Sequence, residues 1–146
     1  MLIKHRHRLP HWTLDGAYYV ITFRLKEGTL NDKEKSIILK NVKEGHNKFY
    51  HLVAVQVMPN HVHLIIKPIG IYTPQRIVKG IKGVTSRRIN QVRNLRGSLW
   101  MVDYFDRIIR NQTDFDEKLK YIYENPVRAG LIDNAGDYEW WYFQDQ

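Results

Sequence analysis

The sequence predicts one α+β domain of the ferredoxin-like, split βαβ type, and three observations support this. Hydrophobic residues make up 43% of the 146 positions, enough for a single packed core. Four β-branched and aromatic segments are typical of strands, and two segments with helical periodicity separate them. Their order is β-α-β-β-α-β, followed by one more helix. We therefore expect an antiparallel sheet with helices on one face and an added C-terminal helix.

The first half of the chain supplies a strand, a helix and a hairpin. Residues 17–25 (AYYVITFRL) are predicted to form the first strand. Asn31 is a candidate N-cap for a helix within 30–47, which has acidic residues early and lysines late. Residues 50–58 and 61–68 are predicted strands joined by a tight Pro-Asn turn. We expect this hairpin to lie in the middle of the sheet.

The second half supplies the remaining elements. Residues 73–94 are predicted to be helical, with Pro74 in the first turn. The aromatic and β-branched segment 99–111 is the predicted fourth strand. The last helix is expected to begin near residue 113 or 114 and to end before Pro126.

The chain shows no internal repeat, low-complexity tract or linker, so one domain over 1–146 is expected. It would have a basic arm at 1–14 and an aromatic C-terminal tail at 133–146, whose segment YEWWYF (138–143) we expect to dock on the sheet. The absence of cysteine excludes disulfides, thiolate nucleophiles and Cys-containing zinc sites. No apolar run approaches the roughly 20 residues that span a bilayer, and no signal-peptide core is present. These features predict a cytoplasmic protein with no membrane partner.

The charge balance points to an anionic partner. The chain has 23 Lys and Arg against 15 Asp and Glu, a formal net charge of +8. Nucleic acid is the commonest partner of so basic a small domain. The alternative is a basic surface that serves only solubility.

Two histidines within a predicted strand are the first candidate site residues. His61 and His63 are two apart, so their side chains lie on the same face. Each could be an ordinary core histidine, but two partly buried imidazoles repel each other when both are protonated. A shared divalent ion removes that conflict, since neutral imidazole is a common metal ligand. No other histidine is spaced to join them, so oxygen ligands with Mg²⁺ or Mn²⁺ fit better than zinc.

The predicted last helix offers two further candidates. Tyr121 and Asn125 are four residues apart and share a helix face. Tyr121 is a candidate nucleophile, or else an aromatic residue packed on the sheet. Asn125 is a candidate metal ligand through its amide oxygen, or else a helix cap before Pro126. Tyr123 would face elsewhere.

Two segments together resemble a known family. The stretch MPNHVHLII (58–66) resembles the His-hydrophobic-His motif of the HUH endonucleases. Residues 103–132 resemble the matching segment of single-tyrosine HUH transposases, in particular the REP-associated branch of the IS200-like superfamily. The resemblance spans most of 8–132, and the motifs occur in the family's order and spacing.

The resemblance implies a metal-dependent transposase that cuts single-stranded DNA near hairpins such as REP-like repeats. Tyr121 would attack the phosphodiester, leaving a 5′-phosphotyrosine link and a free 3′-OH, and the enzyme would also rejoin strands. His61, His63 and Asn125 would hold Mg²⁺ or Mn²⁺. The protein would act as a monomer or homodimer on DNA of the bacterial nucleoid.

Basic and aromatic residues supply candidates for DNA contact, although a solvated basic face is the alternative for many of them. The DNA-binding candidates are Arg6, Arg8, Trp12, Arg76, Lys79, Lys82, Arg87, Arg107 and Arg128.

Two other functions stay open at this point. The first is a hairpin-binding protein that has kept the fold and lost cleavage. The second is a metal-dependent phosphoester hydrolase in which Tyr121 is structural.

Overall fold

A five-stranded antiparallel sheet organises residues 16–144, the part of the chain that the structure, a computed structural model, describes. The strands are β1 (Tyr19–Leu25), β2 (Tyr50–Val57), β3 (His61–Pro68), β4 (Trp100–Ile108) and β5 (Trp141–Phe143). The helices are α1 (Asp32–Glu44), α2 (Pro74–Arg93), α3 (Gln112–Tyr123) and the short α4 (Asn125–Arg128). The strand order β4-β1-β3-β2-β5 contains the split βαβ arrangement and confirms the predicted fold class. The histidine strand β3 is central, as expected.

The inner strands β2 and β3 are buried on both faces, which explains their uninterrupted apolar runs. On one face, Ile38 of α1 and Ile81 of α2 join a core that includes Leu64. On the other face, Leu119 of α3 packs in a second core with Ile65. Neighbouring residues of β3 therefore contribute to opposite cores. The added helix α3 thus lies on the face of the sheet opposite the α1–α2 layer. Among the described helices longer than one turn, it is the only one on that face.

Local signals explain where the helices begin. Asn31 caps α1 as predicted, and its side chain and that of Glu34 form a reciprocal capping box. Thr73 caps α2, with Pro74 in the first turn. The last helix begins at Gln112, one residue before the predicted start near 113 or 114. Asn111 is the N-cap, because its side chain accepts a hydrogen bond from the Asp114 N–H at 2.8 Å, so α3 begins at Gln112.

The aromatic tail docks on the sheet as expected, and it does so as a strand. Trp141–Phe143 pairs with β2 and so covers an edge that would otherwise be open. The hydroxyl of Tyr138 donates to the Val57 carbonyl at 2.7 Å, and the Trp141 ring lies 5.2 Å from that of Tyr123. Among the described residues, no helix combines the length and apolar character needed to cross a membrane.

An ion pair with a buried carboxylate joins the two helices of the α1–α2 layer. The Arg93 guanidinium binds the Glu34 carboxylate through Nε to Oε2 at 2.6 Å and Nη2 to Oε1 at 3.0 Å. Glu34 is only 2% exposed, and the hydrogen bond from Arg93 is the main cause that lowers its pKa. Removal of Arg93 would leave a buried carboxylate without its counter-charge.

We expect Arg93→Met to lower the free energy of unfolding by roughly 2–3 kcal/mol at pH 7, because an unpaired buried charge is costly. A lowered pKa contributes stability above the carboxyl's ordinary pKa, and this contribution is lost as the pH falls through the lowered value. The difference in the free energy of unfolding between Arg93→Met and wild type should therefore become smaller at acid pH. Urea unfolding at several pH values measures it.

Arg88→Met is the matched control, since the Arg88–Glu44 pair is exposed on both sides. It should cost no more than about 1 kcal/mol. An equal cost for both variants would contradict the role assigned to burial.

Candidate active site

The two histidines of β3 lie side by side on the face of the sheet that α3 partly covers. Pairing with β1 places His61 opposite Arg24 and His63 opposite Thr22. The two Nε2 atoms are 3.1 Å apart, and the rings meet edge to face. His63 is buried and His61 is partly exposed. The predicted shared face of the pair is confirmed.

The other ring nitrogens are held by neighbours that sequence reasoning missed. The Nδ1 atom of His61 is 2.7 Å from Asn60 Oδ1, and that of His63 is 2.8 Å from Thr22 Oγ1. Such partners fix the orientation of a metal-binding imidazole. They turn both Nε2 atoms toward one point. Asn60 was visible in the sequence only as a turn residue, and Thr22 is brought close only by strand pairing.

Burial keeps both imidazoles neutral at pH 7. It is the largest cause that lowers the pKa of His61 to about 4 and that of His63 to about 3. The charge of Arg24 contributes to both lowered values, and the charges of His61 and Arg128 also contribute to that of His63. Neutral imidazole has a free lone pair, which a metal ligand requires.

Asn125 reaches the same point from the C-terminal side of α3. Its Nδ2 lies 2.6 Å from His63 Nε2 and 3.5 Å from His61 Nε2. A half-turn of the amide exchanges nitrogen and oxygen at that position. The sequence suggested that Asn125 and Tyr121 belong to the same helix. In the structure, Asn125 lies outside α3, which ends at Tyr123. The C-cap of α3 is Glu124, and Asn125 begins α4, with its side chain directed at the histidines rather than acting as a cap.

These three side chains form a donor set suited to a divalent ion. Two nitrogen ligands about 2.1 Å from an ion and at a right angle lie roughly 3.0 Å apart, close to the observed 3.1 Å. Residues 16–144 contain no group of three or more His, Asp or Glu that could hold a metal. The ion would thus depend on the amide and on oxygens from water or substrate, as Mg²⁺ and Mn²⁺ do.

Tyr121 lies on the exposed side of α3 beside this donor set. It is 57% exposed and lines a cavity of about 390 Å³ together with His63. The Arg128 guanidinium stacks on its ring, 3.8 Å from the centroid, and donates to its backbone carbonyl. Tyr123 is buried at 1% exposure on the other side of the helix, against Trp141. The predicted separation of the two tyrosines is confirmed.

The same cavity contains two charged residues that sequence reasoning did not single out. Glu117 and Lys118 precede Tyr121 by four and three residues, a spacing that places them on its helix face. The Lys118 ammonium binds the Asp114 carboxylate at 3.0 Å. Helical spacing from Tyr121 would have identified both.

The structure places few of the DNA-binding candidates near the histidines. Exposed Arg76, Lys79 and Arg87 lie on α2, across the sheet, and Arg76 also lines a cavity of about 470 Å³ there.

The remaining candidates differ in their surroundings. Lys82 donates to the carbonyls of β4, and burial lowers its pKa. Arg107 and Arg128 lie on the histidine side; Arg107 is 3.9 Å from Asp114. Arg6, Arg8 and Trp12 lie outside the described residues.

Comparisons with known proteins agree with this fold. The family described as IS200-like transposase matches residues 17–125. A Haemophilus influenzae protein named as a REP-associated tyrosine transposase is 22% identical over 141 residues, which cover 84% of this chain and 77% of that protein.

Two solved structures share the fold. A REP-associated tyrosine transposase bound to a REP hairpin has a TM-score of 0.68 and 21% identity, over 92% of this chain and 81% of the other. A protein from Deinococcus radiodurans R1 described as a transposase has a TM-score of 0.53 and 23% identity, over 81% and 96%. Since the family match covers most of its length, the chain belongs to the IS200-like transposase family.

Proposed function

We propose that this protein is a metal-dependent endonuclease and strand transferase that cuts and rejoins single-stranded DNA near hairpins through a 5′-phosphotyrosine intermediate. One observation carries the proposal: the ligand set of His61, His63 and Asn125 adjoins the cavity that Tyr121 lines. The similar transposase bound to a REP hairpin supports hairpin DNA as the partner. Cytoplasmic action on nucleoid DNA, as a monomer or homodimer, is part of the proposal.

The metal ligands in this proposal are the Nε2 atoms of His61 and His63 and the amide oxygen of Asn125. Mg²⁺ or Mn²⁺ bound there supplies Lewis-acid polarisation of the scissile phosphate. The protein contributes neutral, oriented imidazoles, which remain available as ligands without first losing a proton. Thr22 and Asn60 hold that orientation through Nδ1.

Tyr121 is the proposed nucleophile. Its hydroxyl oxygen forms a bond to phosphorus, while the bond to the 3′ oxygen of the preceding nucleotide breaks. The phenolic proton passes to water or a nearby base, and the departing 3′ oxygen takes up a proton. Arg128 limits the motion of the tyrosine ring by stacking on it and brings positive charge beside the reacting phosphate. Attack of a 3′-OH on the phosphotyrosine reverses these steps and rejoins a strand.

Tyr121→Phe tests the nucleophile. The change removes one exposed oxygen and keeps the ring, so we expect hairpin binding to persist while cleavage and the covalent protein–DNA adduct are both lost. Labelled single-stranded hairpin DNA, incubated with Mn²⁺ and run on a denaturing gel, reports both products.

Tyr123→Phe is the control, because this buried ring faces away from the site, and it should keep most activity. An adduct that survives in Tyr121→Phe would assign the wrong tyrosine. Cleavage in both variants without any wild-type adduct would indicate a hydrolase, and hairpin binding without cleavage would indicate a binding protein.

His61→Ala and His63→Ala test the ligand set. Each removes one of the two nitrogen donors, so Mn²⁺ binding measured by calorimetry should weaken at least 10-fold, and cleavage should be lost. Hairpin affinity should stay near wild type, since many other contacts supply it.

His51→Ala is the matched histidine control. His51 is exposed on β2, away from the pair, and its loss should leave Mn²⁺ binding unchanged. Circular dichroism checks that each variant is folded. Wild-type metal affinity in the folded His61→Ala/His63→Ala double variant would place the metal elsewhere.

Hairpin affinity should fall steeply with salt, because neutralised phosphates release counterions. With about four to six phosphate contacts, the log–log slope on a single strand would be roughly −3 to −4. Fluorescence anisotropy between low and high salt measures this slope. A flat salt dependence, or tighter binding of plain duplex than of hairpin, would contradict the proposed substrate.

A further inference from the structure

An aromatic ring stands exposed on the sheet beside the histidine pair. Helix α3 covers only part of this face, and the open part is formed by β1 and β4. Phe105 of β4 lies there, 56% exposed and paired with Thr22, the residue whose hydroxyl contacts His63. A solvent-exposed ring in that position adds nothing to either core of the sheet.

Two cavities lie on either side of this ring. The first, of about 390 Å³, is the one that Tyr121 lines. The second, of about 370 Å³, includes Arg24 and Asp103. Three residues line both cavities: Thr22, His63 and Phe105. A chain of nucleotides that ran from one cavity to the other would therefore pass His63 and Phe105 at its midpoint.

We propose that Phe105 stacks on a base of the single-stranded segment next to the scissile phosphate, and that the two cavities receive the nucleotides on either side of that phosphate. This inference rests on the proposed function and adds a binding subsite to it. Exposed aromatic rings beside basic groups are the usual platform for single-stranded nucleic acid, because every base has a face to stack. Arg24 and Asp103 add a hydrogen-bond donor and an acceptor for base edges in the second cavity.

The surroundings favour a nucleic-acid occupant over a second copy of this chain. Four cations surround the open face, Arg24, Arg107, Lys118 and Arg128, against the three carboxylates of Asp103, Asp114 and Glu117. The remaining positive excess suits a phosphate backbone. A second copy would add a strand to β4, the outer strand of the sheet. The Lys82 ammonium already binds carbonyls of Met101 and Val102 on that strand, which makes it a poorer partner for another sheet.

The test compares two DNA probes in the Tyr121→Phe background, so that no cleavage intervenes. One probe is a REP-type hairpin with a mixed-sequence single-stranded flank, and the other is the same hairpin without the flank. Phe105→Ala should weaken binding of the flanked probe by about 5- to 150-fold, the effect of losing one stacked base, and leave the unflanked probe unchanged. Phe105→Trp should restore the affinity for the flank.

Val102→Ala is the control on the same strand. Val102 is 88% exposed and lines neither cavity, so its loss should change neither affinity. A 2-aminopurine base in the flank adds a direct readout, since its fluorescence should be quenched by Phe105 and recover in Phe105→Ala.

Two results would overturn the inference. Equal loss of affinity for both probes, or no loss for either, would show that Phe105 does not contact the flank. A change of oligomeric state in Phe105→Ala, measured by sedimentation, would show that this face pairs with a second copy. The proposed function stands or falls separately, on whether the wild-type protein forms the covalent adduct.

Discussion

The register between β1 and β3 is the constraint on which the site depends. It sets Thr22 opposite His63 and Arg24 opposite His61, which gives His63 its Nδ1 partner and brings a positive charge to both rings. A slip of one residue would turn both histidines into the α1–α2 core. That slip is disfavoured because it would bury two imidazoles in an apolar core, away from their present hydrogen-bond partners. Packing of the sheet thus determines which groups contact the two imidazoles.

The second constraint is the break between α3 and α4. The α3 helix is tied to the sheet at its end, where Gln56, which pairs with His63 across β2 and β3, donates to the Ile122 carbonyl at 3.1 Å. Glu124 then ends the helix, and Pro126 starts a new turn in which its missing N–H is not needed. The break carries Asn125 toward the histidines and lets Arg128 fold back on Tyr121.

The sequence predicted what depends on local pattern. Alternation placed His61 and His63 on one face, and helical spacing separated Tyr121 from Tyr123. It did not predict the partners that pairing brings from far along the chain: Thr22 is 41 residues from His63. Nor did it predict that the tail would become a strand, since three residues are too few for a clear period of two. The roles of the basic residues also depended on tertiary contacts, as the binding of Lys82 to β4 carbonyls shows.

The division of basic charge between two layers constrains how DNA can lie on this protein. The exposed cations of α2, Arg76, Lys79 and Arg87, are separated from the histidine pair by the full thickness of the sheet. A single DNA that touched both would have to pass around one edge. At one edge, β5 and the aromatic tail cover β2. The other edge is β4, where Phe105 faces the histidine side and Lys82 of α2 reaches the strand from the opposite layer. A DNA that joined the two surfaces would therefore cross at β4, where its unpaired segment would meet the open face first.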